Sequence, residues 1–130
     1  MRVAAIIVLG ALFVSPAAAA GWMSCADSGG LASFDYFVAE GDTFNVTAVT
    51  VTASEQVWAS DPANGPGEPV LVGPFHDDDA STSVGAINEL LIPIADLQLR
   101  KATEGELTVH GGTLWLPGVG VWAVTCVPTS

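Results

Sequence analysis

Positive charge is almost missing from this chain: three Lys and Arg face fourteen Asp and Glu, for a formal net charge of −11. Such a surface repels nucleic acid and anionic lipid, so neither is expected as a partner, whereas a basic protein or cations would be attracted. The same charge also serves solubility. Cysteine is scarce, with Cys25 and Cys126 alone, and histidine is limited to His76 and His110. No segment sustains the 3.6-residue apolar period of a helix. Beyond the N-terminus no apolar run is long enough to span a bilayer, so no membrane insertion is expected of the mature chain. The phosphate-cradling and dinucleotide-binding glycine patterns are absent, as is G-x-S-x-G. No cofactor is expected, and no motif names a reaction.

What the N-terminus does have is one cation, Arg2, then an apolar run from Val3 to Val14 and a small-residue tail, Ala17 to Ala20. That order reads as a secretory signal peptide over residues 1–20, cleaved before Gly21. At about 1.5 Å per residue the run reaches about 18 Å, short of a membrane core. Residues 21–130 suit a single domain. Loss of Arg2 leaves Arg100 and Lys101 as the only cations. The expected location is periplasmic or secreted.

In an exported chain the two cysteines are expected to pair. A Cys25–Cys126 bridge closes a loop of roughly 100 residues, which the chain-entropy account values at roughly 4–5 kcal/mol. It would pin the first strand to the last.

Between the cysteines, strand-like segments recur with Gly, Pro, Asn and Asp between them. The spacing predicts an all-β fold, a small antiparallel β-sandwich or compact barrel. Leu31 to Ala39 alternates, with Phe34, Tyr36 and Val38 on one face. Phe44 to Thr52 is rich in β-branched residues but changes phase near residue 48, which suggests a bulge. Residues 60–69 carry three prolines and two glycines and read as an exposed loop. Phe75 to Ser83 reads as a polar segment, and Val84 to Ile92 as a strand or a helical turn. Ala95 to Lys101 alternates, with Leu97 and Leu99 inward. Gly111-Gly112 signals a tight hairpin. The last run, Gly118 to Cys126, is apolar at nearly every position and reads as a strand buried on both faces.

Candidate site residues follow from residue type. Asp77, Asp78 and Asp79 offer hard oxygen ligands, but without the spacing of a calcium loop, so a solvated acidic loop competes with a partner contact. His76 beside them and His110 are the candidate transition-metal ligands. Together with the acids 77–79 they are also the only visible resources for a hydrolase. Of the four tryptophans, Trp22, Trp58 and Trp122 read as structural. Trp115 lies between Leu114 and Leu116, so it faces outward if they face the core, and it is the candidate contact residue. Asn45-Val46-Thr47 fits a glycosylation pattern but also fits a strand. The expected role is a non-catalytic, protein-binding module of inhibitor or accessory type. The alternative is a small-ligand or carbohydrate-binding module using Trp115 and loop 60–69.

Overall fold

A computed structural model describes residues 20–129; the signal-peptide reading lies outside them except for Ala20. Apolar residues at alternate positions favour strands, and ten are formed among the described residues. They are β1 (Gly21–Ala26), β2 (Ala32–Val38), β3 (Val46–Ala53), β4 (Gln56–Ala59), β5 (Glu68–Pro69), β6 (Leu71–Asp77), β7 (Ser81–Ile87), β8 (Pro93–Glu104), β9 (Leu107–Leu116) and β10 (Gly120–Thr129). A 3-10 turn at Pro62–Asn64 lies between β4 and β5. The spatial order is β5-β4-β3-β2-β1-β10-β9-β8-β7-β6. Two meanders, β1–β4 and β6–β10, are therefore stitched together by the antiparallel pairing of β1 with β10.

The sheet then curls until its two edges meet. Residues 68–77 form one stretch with neighbours on both sides. Its start pairs in parallel with β4, Trp58 opposite Glu68 and Ala59 opposite Pro69. Its remainder pairs with β7, from Leu71 opposite Ile87 to Asp77 opposite Thr82. Beyond the end of β4, Phe44 and Phe75 pack edge to face across the remaining gap, with ring centroids 5.8 Å apart. The result is a nearly closed barrel, which leaves few free strand edges.

The core fills the barrel. Phe34, Val49, Val51, Val84, Leu97, Leu99, Leu114 and Leu116 are buried there, and Trp58 with them. In β2 and β8 the inward residues are those that alternation predicts. The phase slip in β3 is a bulge: Phe37 opposes Ala48 while Val38 opposes Val46, so Thr47 is the extra residue. It lets Val46 and Val49 both reach the core despite their odd separation. Cys25 and Cys126 lie directly opposite one another on β1 and β10 and are bonded.

Two expectations need correction. The final strand is not buried on both faces: Trp122, Val124 and Cys126 turn inward, but Val121 is 64% and Val127 59% exposed. A single rolled sheet has one interior, and among the described residues no second layer covers the outside of β10. Gly111-Gly112 is not a hairpin; both lie within β9, and the β8–β9 turn is at Gly105, whose φ of 63° suits glycine. The polar segment Phe75 to Ser83 forms the tip of the β6–β7 hairpin, and Val84 to Ile92 divides into the end of strand β7 and a turn. That turn is held by the Asn88 side chain, which accepts from the Leu90 N–H at 2.9 Å and the Ile92 N–H at 3.0 Å.

Candidate functional site

Alternation in β9 turns Leu114 and Leu116 into the core and leaves Trp115 49% exposed on the outside. Its direct cross-strand neighbour is Val121, and Thr113 faces Ala123 in the next pair. Val127 continues the same outer surface along β10. From Leu107 to Ser130 the chain contains no Asp, Glu, Lys or Arg. The outer face of β9 and β10 is thus an uncharged strip, about 30 Å long at strand rise, on a protein of net charge −11. Trp115, Val121 and Ala123 form the strip's apolar end, and exposed apolar surface is where interaction sites are sought. Sequence reasoning picked out Trp115 but missed the strip. The signal was the charge-free C-terminal stretch, visible only against the acidity of the rest.

The acidic triplet is spent differently. Asp77 ends β6 and receives the Lys101 ammonium at 2.8 Å and the Thr82 hydroxyl at 2.6 Å. Asp78 builds the hairpin turn: its Oδ1 accepts the N–H groups of Ala80 and Ser81, each at 2.8 Å. Its Oδ2 lies 3.0 Å from His76 Nε2. The His76 hydrogen bond, followed by those two amides, holds the Asp78 carboxyl well below the usual carboxylate range. Two of the three carboxylates are therefore committed within the fold.

The histidines sit on different sides of the sheet. His76 is exposed at the rim, while His110 lies half-buried opposite Lys101 on the neighbouring strand. Burial, and then the Lys101 charge, push the His110 pKa down. The phenol of Tyr36 is pushed up to about 12 by burial and by the negative charge of Asp77. Asp77 links this group: it pairs with Lys101 and Thr82, and its charge acts on Tyr36 and His110. Among the described residues no group of three or more His, Cys, Asp or Glu side chains comes together to hold a metal ion. Trp115 and loop 60–69 are not brought together either, since β9 and β4 are separated by four strands of the sheet.

One residue carried no sequence signal beyond its position: Asp35, the only acid within strands β1 to β4. It faces outward, yet its Oδ1 is buried without a hydrogen-bond partner. Burial raises its pKa above the ordinary 3.8, partly offset by the Ser24 hydroxyl. The raised value means that folding disfavours the charged form. The contribution of Asp35 to stability is present below pH 3.8 and is lost as pH rises through the folded pKa. Asp35→Asn should therefore raise the melting temperature at pH 7, with the gain shrinking toward pH 3.5. Thermal melts across that range check it, and a variant that melts lower at pH 7 would refute the account.

Compared with family models, with curated proteins and with solved structures, the chain matches none.

Proposed function

We propose that this protein is an exported, non-catalytic protein-binding module of inhibitor or accessory type, working in the periplasm or outside the cell. The observation that carries the reading is the uncharged outer strip of β9 and β10, with the exposed Trp115 at its end beside the β9–β10 turn. The disulfide is consistent with an oxidising compartment. The acidic surface around the strip would draw in a basic partner from a distance, and burial of the Trp115 ring beside Val121 would then hold it. Asp79, the member of the triplet without an internal role in the hairpin, remains available for that steering together with the scattered acids elsewhere.

The test is capture from cell-envelope and secreted fractions with the disulfide-bonded protein and with its Trp115→Ala variant, at low and moderate salt. A basic protein held by the wild type should bind the variant about thirty-fold more weakly, as for a hot-spot aromatic worth about 2 kcal/mol. Its association rate should fall with salt while its dissociation rate changes little. A partner that binds both forms equally would overturn the assignment of the strip.

A further inference from the structure

The outer face of β1 to β3 carries a second surface with different chemistry. Asp35 lies at its centre, directly opposite Ser24 on β1 and Thr50 on β3. Diagonal to it, Trp22 packs edge to face on Phe37, with centroids 5.4 Å apart, so the indole is held in place. Overhead comes Asn64. Because β5 runs parallel to β4, the intervening chain must fold back over the sheet before pairing. It is fixed as it does so. The Ser60 hydroxyl accepts the Val49 N–H at 2.9 Å, and the Asp61 carboxylate accepts the Ala63 N–H at 2.9 Å to cap the 3-10 turn that ends at Asn64.

Trp22, Asp35, Thr50 and Asn64 together line a cleft of about 210 Å³. That is smaller than pockets for drug-sized ligands, which start at about 300 Å³, and leaves space for a single ring. The carboxylate is the informative member. Its Oδ1 is unpaired and closed off from solvent, so it is the rest of the carboxylate, on the wall of the cleft, that can accept from a ligand.

We propose that this cleft binds one ring of a neutral saccharide, stacked on Trp22 and hydrogen-bonded through its hydroxyls to Asp35, Asn64 and Thr50. The mixture of groups selects the ligand class. A sugar hydroxyl both donates and accepts, so it can serve a carboxylate, an amide and a hydroxyl side by side; an ammonium group only donates and would leave the amide and hydroxyl donors unused. Acidic sugars and phosphates are turned away by Asp35 and by the net charge of −11. The indole supplies the flat apolar face that the C–H side of a pyranose needs. Asp35 on β2 and Trp115 on β9 are separated by β1 and β10, so the site does not depend on Trp115.

The test is a tryptophan-fluorescence and calorimetric titration of the disulfide-bonded protein. The probes are neutral tetrasaccharides built from glucose, mannose, galactose or N-acetylglucosamine, with tetragalacturonate as the acidic control. At least one neutral probe should bind with Kd below about 1 mM, and the uronate should not. Trp22→Ala and Asn64→Ala should each weaken binding at least about tenfold, whereas Trp115→Ala should leave it unchanged. Asn64 is on an exposed loop, so its variant keeps the fold if Trp22→Ala does not. Asp35→Asn should bind more weakly while being more stable at pH 7, a combination that a merely structural carboxylate would not produce. Absence of binding by every neutral probe up to about 10 mM, or undiminished binding by the Trp22 and Asn64 variants, would overturn the proposal.

Discussion

Reduction of the Cys25–Cys126 bond should cost about 4–5 kcal/mol of folding stability, the largest single effect expected in this chain. The bridge spans a sequence separation of 101, so the unfolded chain that it restrains is long. Its position adds to that effect. It joins β1 to β10, the one ladder that ties the first meander to the second along a full strand pair. The opposite junction rests on two parallel pairs, Trp58 with Glu68 and Ala59 with Pro69. Urea unfolding with and without reductant measures the loss. With a slope of about 2 kcal/mol/M, the midpoint should fall by about 2 M. A midpoint that does not move would mean that hydrogen bonding alone holds the seam.

Gly112→Ala should be almost as damaging, at about 3 kcal/mol or more, while Gly111→Ala should stay within about 1 kcal/mol. Adjacent in sequence, the two glycines point to opposite faces of β9. A Cβ on Gly112 would run into the backbone carbonyl of Gln98 on β8, which cannot swing aside as a side chain can. A Cβ on Gly111 meets nothing nearer than the Val124 carbonyl at 3.5 Å, an ordinary contact. Denaturation of the two variants side by side separates close approach of strands from a general preference for glycine. Equal effects would sink the explanation.

That pair also shows where sequence reading succeeds and where it stops. Two glycines in a row signal a hairpin when the turn needs positive φ, but Gly112 is required by the nearness of a neighbouring backbone, which no local rule reports. Leu97 and Leu99 were legible because polar residues alternate with them and the outside of β8 is wet. The final strand was not, because Val121 and Ala123 are apolar and yet face outward. Alternation uses polarity as a stand-in for exposure, and it fails where the exposed face is itself uncharged. The phase slip at Thr47 was legible because both valines flanking it had to find the same core. The acidic triplet was misleading for the opposite reason: its hydrogen bonds to Ala80, Ser81 and Thr82 are local, but composition shows only charge. The closure of the barrel through residues 68 and 69 leaves no periodic trace at all, since two residues between prolines and glycines are too few for a pattern. Asp35 became conspicuous only when loop 60–67 was seen folded above it.

The seam between β1 and β10 has a consequence for the order of events in the making of the molecule. A chain is synthesised from its N-terminus, so among the described strands β1 is the first to emerge and β10 the last. Until then β1 can pair with β2 alone, and Cys25 remains a lone thiol with no partner in existence. Four strands can form a ribbon during that interval, but no partial chain can close the cylinder or shield Phe34 from water on both sides. Formation of the sulfur–sulfur bond is therefore a completion mark. It can be set only after the chain through Cys126 has arrived, and a product truncated before that residue, however well its early strands pair, never acquires it.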